Sequence, residues 1–285
     1  MAIPTTVGAA PCSTSPNTFL NGLPPNTKIY PYHGLSSIEE ATDNSHPDFH
    51  PSESQYIVFN NVPESDLNTV LEEQLPGRAD YDWRTQTLIL KMVSQPHETL
   101  THSLEWSINK KAEEMGVRWE YRLAGTAKHG TPRRTKEPDA QYIPRFPPQG
   151  RSRQLPTIVV ETGFSESRPR LDDDAKFWLR ETHGDVKIAI AAHINRRTGH
   201  IFFHVWEGSV ASRIRKTQQV EIQRVNKQPV ISGRLDRLTL HFSLFLLRRP
   251  NAAQGEKDII IDRDELAQIA IETWEAMVAC GYLRA

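Results

Sequence analysis

Apolar positions from about residue 53 onward fall into alternating and helical patterns that follow one another along the chain. The run YIVFNNV from Tyr56 and the run TLILKMV before Pro96 are typical of strands. The next segment predicts a helix that ends near Gly116, because apolar residues recur there at intervals of four: Leu100, Leu104, Ile108 and Ala112. DAQYIP then predicts a short strand after a basic loop.

The second half of the chain repeats this mixture of strands and helices. The apolar run at 158–160 predicts a strand that is covered on both faces, and LDDDAKFWLRETHG after it predicts a helix. VKIAIAAHI and HIFFHVWEG predict a hairpin, and RLTLHFSLFLL alternates as a half-buried strand does. Asp262 and Glu265 stand at capping-box spacing before a final helix. The order of elements predicts an α/β fold in which helices flank a mixed sheet.

The first 52 residues lack this periodicity. They are rich in Pro, Ser, Thr and Asn, and their apolar residues are too scattered to bury much surface. We therefore expect a flexible arm over residues 1–52 and a folded α/β domain over residues 53–285, with a strand-helix extension at its C-terminal end.

Composition narrows the functional class only slightly. A net charge of −1 argues against wholesale attraction to nucleic acid or to an anionic membrane, although basic patches remain possible. Cys12 and Cys280 have no metal-ligand spacing and do not indicate a disulfide framework, which favours an intracellular protein, cytoplasmic or nuclear. No apolar run is long enough for a membrane span, and we expect no membrane partner.

Two carboxylates stand at the ends of predicted strands. Asp139 follows Pro138 at the start of one strand, and Glu161 ends the apolar strand of PTIVVETG. If the two strands are neighbours, the carboxylates meet at one end of the sheet, where a divalent cation would offset their repulsion. Oxygen ligands favour Mg²⁺ or Mn²⁺ over zinc, and such an ion can activate water against a phosphodiester.

Lys176, in the helix after Glu161, is the candidate for a positive charge that orients this water or stabilises the transition state. Each residue also has an ordinary structural interpretation. Asp139 after a proline is a common turn residue, and Lys176 stands four residues after Asp172, as in a solvated helix ion pair. Glu161 is harder to explain in this way, because an acid at the end of a buried strand needs a partner.

The order of these motifs resembles the PD-(D/E)XK restriction-endonuclease-like superfamily, and within it the Uma family of nucleases. LKMVSQPHE, EPDA, PTIVVETGFSES and LDDDAKFW match, over roughly residues 80–207, a strand before a His-headed helix, a PD strand, a VVE strand and a helix with Asp and Lys. Gly163 stands where the superfamily usually has lysine, and Lys176 is similar in position to the lysine that the Uma family carries in the following helix.

The resemblance implies a restriction-endonuclease-like mixed sheet and Mg²⁺- or Mn²⁺-dependent hydrolysis of nucleic acid, DNA more than RNA. Asp139 and Glu161 would hold the metal, with the backbone carbonyl of Thr162 as a further ligand. The first core helix often contributes a further acid to such sites. We expect Glu105 to be this acid, with Glu98 as the second candidate. Dimers are frequent in the superfamily, so a homodimer is one option.

A second hypothesis comes from a different functional class. The chain could keep this fold as a catalytically silent module that binds DNA or a protein, because the lysine usual at position 163 is missing. Geometry separates the two hypotheses. Carboxylates within about 5 Å of each other, with the amine of Lys176 converging on them, favour the enzyme. An Asp172–Lys176 pair that points to solvent favours the silent module.

Overall fold

The computed structural model describes residues 18–43, 54–72, 77–125, 127–131, 133–164, 167–233 and 235–284. The helices within these residues are α1 (Leu35–Asp43), α2 (Glu64–Glu72), α3 (Gln95–Glu114), α4 (Arg168–Glu181), α5 (Phe242–Phe245) and α6 (Arg263–Ala279). None of them combines the length and the apolar character that a membrane crossing requires.

A six-stranded sheet forms the first half of the fold. Its strands are β1 (Lys28–Pro31), β2 (Tyr56–Asn60), β3 (Arg78–Asp82), β4 (Thr87–Lys91), β6 (His129–Gly130) and β7 (Arg134–Lys136), while β5 (Tyr121–Leu123) belongs to the second sheet. The spatial order is β1-β2-β4-β3-β7-β6. Only the β1–β2 pair is parallel among these described strands. Helices α1 and α2 pack on one face through Ile38 and Leu67.

A seven-stranded sheet forms the second half. Besides β5 it contains β8 (Ala140–Pro144), β9 (Ile158–Gly163), β10 (Ile188–Ile194), β11 (Ile201–Glu207), β12 (Arg215–Val225) and β13 (Gln228–Ser232). The order is β13-β12-β11-β10-β9-β8-β5. Helix α4 connects β9 to β10, which lie parallel, and the other neighbours are antiparallel. A small third sheet pairs β14 (Leu238–Leu240) with β15 (Ile259–Ile261).

The second sheet is covered on both faces, as its apolar strands predict. Alternate residues of β9 show the division: Ile158 and Val160 pack with α3 and α6, whereas Val159 packs with Trp178 of α4. This alternation places the side chain of Glu161 on the α4 face. The mixed α/β fold, with multistranded mixed sheets flanked by helices, is confirmed.

The chain crosses from the first sheet to the second immediately before β8. Lys136 ends β7 in the first sheet, and Ala140 begins β8 in the second, so Asp139 lies at the junction of the two sheets. Asp139 N–H donates to the Val160 carbonyl at 3.1 Å, next to the Ala140–Val160 pair. The prediction that the Asp139 and Glu161 strands are neighbours is therefore confirmed.

Two expectations are wrong. Residues 18–43 are not a flexible arm: β1 pairs with β2 in parallel, and α1 buries Ile38 completely. The remainder of the expected arm, residues 1–17 and 44–52, lies outside the described residues. RLTLHFSLFLL is not one strand, because β14 ends at Leu240 and α5 follows. Phe242 N–H donates to the Asp258 carboxylate at 2.8 Å, which directs the chain into this helical turn.

Candidate active site

The Asp139 carboxylate is enclosed by positive and polar groups from three elements. Its Oδ2 accepts hydrogen bonds from the Lys91 ammonium at 2.6 Å and from the Thr162 backbone N–H at 2.7 Å. Its Oδ1 lies 3.2 Å from Nε2 of His97, near the start of α3. The side chain is fully buried. Pro138 and the β8–β9 pairing thus fix a carboxylate at the sheet junction.

Glu161 reaches the same place from β9. Its Oε1 accepts a hydrogen bond from the indole N–H of Trp178 at 2.6 Å and lies 3.5 Å from the Lys136 ammonium. Its Oε2 lies 3.8 Å from the Lys91 ammonium, which also binds Asp139. Two carboxylates from neighbouring strands therefore converge on one lysine, and the lysine comes from β4 in the other sheet.

A second group of charges continues from Lys136. This ammonium lies 3.5 Å from Asp174 of α4 and 3.6 Å from Asp80 of β3. The guanidinium of Arg134 forms a bidentate pair with Asp80, and Nε of Arg170 lies 3.3 Å from Asp174. The two acids, Lys136 and Arg170 are buried, and the side chain of Arg134 is 14% exposed. Buried charges persist only when paired in this way.

The two converging carboxylates differ in their protonation behaviour. Burial alone would raise the pKa of Asp139, but Lys91, His97 and Arg78 outweigh it and hold the pKa well below its usual range. Burial raises the pKa of Glu161 to about 7, against the opposing effects of Lys136 and Lys91. The difference follows from the neighbouring cations: Lys91 lies 2.6 Å from Asp139, with His97 and Arg78 also beside it, whereas Lys136 and Lys91 lie 3.5 and 3.8 Å from Glu161.

We call the group of charged residues around Asp139 and Glu161 the pocket. The start of α3 adds a histidine and an acid to it. His97 is fully buried, and its pKa is raised because Asp139 and Glu98 outweigh the lowering effect of burial. Glu98 accepts a hydrogen bond from Arg78 at 2.8 Å. Several buried polar atoms here lie near charged partners without forming a hydrogen bond: Asp139 Oδ1 lies 3.2 Å from His97 Nε2 and 3.7 Å from Arg78 Nε, and His97 Nδ1 lies 3.5 Å from Glu98.

Lys176 does not join the pocket, contrary to the expectation. Its ammonium binds Asp173 at 2.7 Å and lies 4.8 Å from the ring centroid of Trp206. Asp174 and Trp178 contact the pocket, and Lys176 lies two residues from each of them. Two residues correspond to about 200° around a helix, so Lys176 lies on the opposite face of α4.

The preference for Glu105 over Glu98 is not supported either. Glu98 reaches Asp139 through Arg78 and His97, whereas Glu105 is half-buried farther along α3. Burial raises the pKa of Glu105. The Thr162 N–H binds Asp139, and its hydroxyl binds Thr101 at 2.8 Å on the α3 side of the sheet. The role of the Thr162 carbonyl as a metal ligand stays a prediction.

Sequence reasoning missed the residues that complete the pocket. Lys91 ends an apolar strand just as Glu161 does, which is the signal that could have found it. Asp174 stands four residues after Arg170 and four before Trp178, so all three share one face of α4. Lys136 stands three residues before Asp139, in the stretch before DAQYIP that the sequence predicts to be a basic loop.

A cavity of about 10 Å³ lies beside Glu161 and is lined by residues of both sheets and of α4, including Tyr56, Ile89 and Arg170. This is about the least space that holds one water molecule. Among the described residues, no group of three or more His, Cys, Asp or Glu side chains is arranged to hold a metal. Mg²⁺, however, is commonly bound through one or two carboxylates with waters. Asp139, whose Oδ1 lies 3.2 Å from Nε2 of His97, and Glu161 are two carboxylates of this kind.

Comparisons with known proteins add little to this geometry. No family model matches the chain, and no curated protein matches it. Among solved structures, the chain is similar to a DUF820 protein from Anabaena variabilis that is described as a "putative nuclease". The identity is 14%, the TM-score is 0.40, and the alignment covers 72% of this chain and 97% of the other. A likeness at this level carries no argument about function, so the residues themselves must carry it.

Proposed function

We propose that this chain is a metal-dependent nuclease of the restriction-endonuclease-like superfamily, similar to the Uma family, in which Lys91 takes the place expected for Lys176. The observation that carries the proposal is the convergence of Asp139 and Glu161 on the Lys91 ammonium. The order of elements agrees with it: β4, α3, β8, β9 and α4 follow one another as the motifs of the resemblance do.

Asp139 and Glu161 would hold Mg²⁺ or Mn²⁺, which supplies a positive charge that polarises a phosphodiester and lowers the pKa of water. Lys91 would stabilise the negative charge that develops on the phosphoryl oxygens. Trp178 donates to Glu161, and the Thr162 N–H donates to Asp139, so both carboxylates keep a fixed orientation. Glu161 must be ionised to bind the cation, which favours activity above neutral pH given its raised pKa.

DNA is the proposed substrate, ahead of RNA. Exposed arginines on the loops around β8, Arg133, Arg145 and Arg153, are available for phosphate contacts. A nicking assay on supercoiled plasmid, with a single-stranded RNA of mixed sequence in parallel, compares the two substrates directly.

The nuclease proposal is tested with Asp139→Asn, Lys91→Ala and Lys176→Ala in that assay, with Mg²⁺ or with EDTA. We expect metal-dependent nicking by the wild type, a loss of about 100-fold or more in Asp139→Asn and Lys91→Ala, and near-normal nicking by Lys176→Ala. Lys176→Ala is the matched control because its ammonium pairs with Asp173 outside the pocket. Nicking that survives Asp139→Asn, or that needs no metal, would refute the proposal.

A silent DNA-binding or protein-binding module is the second candidate. The outward position of Lys176 favours it, and so does the pairing of both carboxylates with lysines already present in the fold. Under this alternative the charge cluster would only hold the two sheets and α4 together. A wild type that binds DNA, is well folded, and shows no nicking at any Mg²⁺ or Mn²⁺ concentration would support the module.

A further inference from the structure

A short N-terminal segment lies directly on the arginines of the pocket. We define residues 18–23 as the plug: a 3₁₀ turn at Thr18–Leu20 and the bend that follows it. Nη1 of Arg170 donates to the backbone carbonyls of Phe19 at 2.7 Å and of Asn21 at 3.1 Å. These contacts join residues about 150 positions apart in sequence, so the plug is placed by tertiary structure alone.

Phe19 anchors the plug beside the cavity. Its side chain is 8% exposed and packs with Tyr56, Val58 and Ile89 on the face of the first sheet opposite to α1 and α2. Tyr56 and Ile89 also line the cavity beside Glu161. The Arg134 guanidinium lies 4.7 Å from the centroid of the Phe19 ring. The plug therefore covers the outer side of the same charges that surround Glu161.

Gly22 permits this close approach. A Cβ atom at Gly22 would lie 3.0 Å from Cβ of Arg170, and the residue has φ +79°, a conformation that favours glycine. An alanine at this position would have a tight contact with Arg170 and a strained backbone conformation.

The partners of Arg170 suggest what the plug replaces. An arginine fork binds phosphate oxygens strongly, because both the charge and the geometry match. In this structure, Nη1 of Arg170 instead donates hydrogen bonds to two neutral carbonyl oxygens. Arg134, Arg170 and Lys136 share the acids Asp80 and Asp174, and Lys136 also lies 3.5 Å from Glu161, so these three cations face three acids and their charges balance when Glu161 is ionised.

We propose that Arg170 binds a phosphate group of the nucleic acid and that the plug competes for this position, so that the pocket opens only when residues 18–23 leave. This inference rests on the proposed function, since it assumes that the pocket acts on nucleic acid. It goes further by assigning a phosphate-binding residue and an internal competitor.

The inference is tested by measuring DNA binding under conditions in which no metal-dependent cleavage occurs. Fluorescence anisotropy of a short fluorescein-labelled DNA duplex in EDTA is measured with the full-length wild type, Phe19→Ala and Gly22→Ala. Phe19→Ala removes the anchor, and Gly22→Ala introduces strain and a contact with Arg170. If the plug is closed in about nine molecules of ten, both variants bind about tenfold more tightly. Gly255→Ala is the control, because Gly255 also has positive φ and nothing lies within 4 Å of the added Cβ.

Arg170→Lys in the Phe19→Ala background tests the phosphate contact, since lysine keeps the charge beside Asp174 but loses the fork. We expect it to cancel most of the gain in affinity. Melting temperatures identify a variant that has merely lost packing. Unchanged affinity in Phe19→Ala and Gly22→Ala, absence of DNA binding by every variant, or a gain that persists in Arg170→Lys would each overturn the inference.

Failure of the plug and failure of the nuclease proposal give different results. Tighter DNA binding by Phe19→Ala and Gly22→Ala, with no Mg²⁺-dependent nicking by either, supports the plug and refutes the nuclease. Equal nicking by the wild type and both variants, with equal affinity, refutes the plug and leaves the nuclease in place.

Discussion

Replacement of Lys91 by methionine removes the ammonium group that both candidate metal-binding carboxylates contact, while it keeps a side chain of similar length. The Lys91 side chain is 8% exposed, and its ammonium lies 2.6 Å from Asp139. Removal of one partner of a buried ion pair typically destabilises a protein by about 3–5 kcal/mol, because the other charge stays buried without compensation. His97 and the Thr162 N–H remain beside Asp139. We therefore expect a destabilisation at the low end of this range, about 3 kcal/mol in the free energy of unfolding.

The double variant Lys91→Met/Asp139→Asn removes both charges and should be more stable than the sum of the single effects, by about 2 kcal/mol. Lys176→Met is the control. Its partner Asp173 is 63% exposed, and exposed pairs contribute less than about 1 kcal/mol.

Urea unfolding in EDTA, followed by circular dichroism, measures five proteins under the same conditions: the wild type, Lys91→Met, Asp139→Asn, the double variant and Lys176→Met. The expected order of stability places Lys176→Met beside the wild type and Lys91→Met well below both. A Lys91→Met variant as stable as Lys176→Met would refute the reasoning, since Lys91 could then not be the principal counter-ion of a buried Asp139.

The remaining predictions concern pH and helix capping. The pKa of Glu161 is raised from 4.5 to about 7, so the folded state retains a proton that the unfolded chain has lost, and stability should fall by about 3 kcal/mol as pH rises through that interval. His97, whose pKa is also raised, acts in the same direction. Glu161→Gln should therefore flatten the pH dependence of urea unfolding without abolishing it, and an unchanged slope would contradict the raised pKa. Asp262 accepts from the N–H groups of Asp264 and Glu265 in a complete capping box, and Asp262→Ala should lower stability by about 1 kcal/mol; an unchanged thermal midpoint would show that α6 does not need the cap.

Patterns within one element were predictable from the sequence. The period-four apolar residues of α3, the buried strand β9 and the capping box before α6 depend on neighbours in sequence, and the structure confirms them. The pairing of β8 with β9 was also predictable, because strands that are consecutive in sequence usually lie side by side.

The lysines of the pocket were not predictable in the same way. Lys91 and Lys136 belong to the first sheet, and they meet Glu161 only because the chain crosses between sheets at Asp139. Nothing local to Lys136 indicates this contact, and the only local signal at Lys91 is its position at the end of an apolar strand. The error at Lys176 was avoidable, because the spacing of Leu171, Ala175 and Trp178 marks the buried face of this helix, and a residue two positions from Trp178 cannot share that face.

The misassigned arm has a different physical cause. Strand β1 pairs with β2 through backbone hydrogen bonds, which need no apolar pattern, and its side chains are mostly exposed. Helix α1 buries only a few residues, Ile38 among them. A segment of low apolar content can therefore be ordered by a sheet edge that the rest of the chain provides.

Calorimetric titration of Mn²⁺ into the wild type, Asp139→Ala and Glu161→Ala tests the central claim most directly, because it measures whether the two converging carboxylates form a cation site. We predict saturable binding to the wild type near pH 8 and loss of that binding in both variants, with melting temperatures confirming that each variant is folded. Undiminished binding in the two variants, or none in the wild type, would contradict the claim.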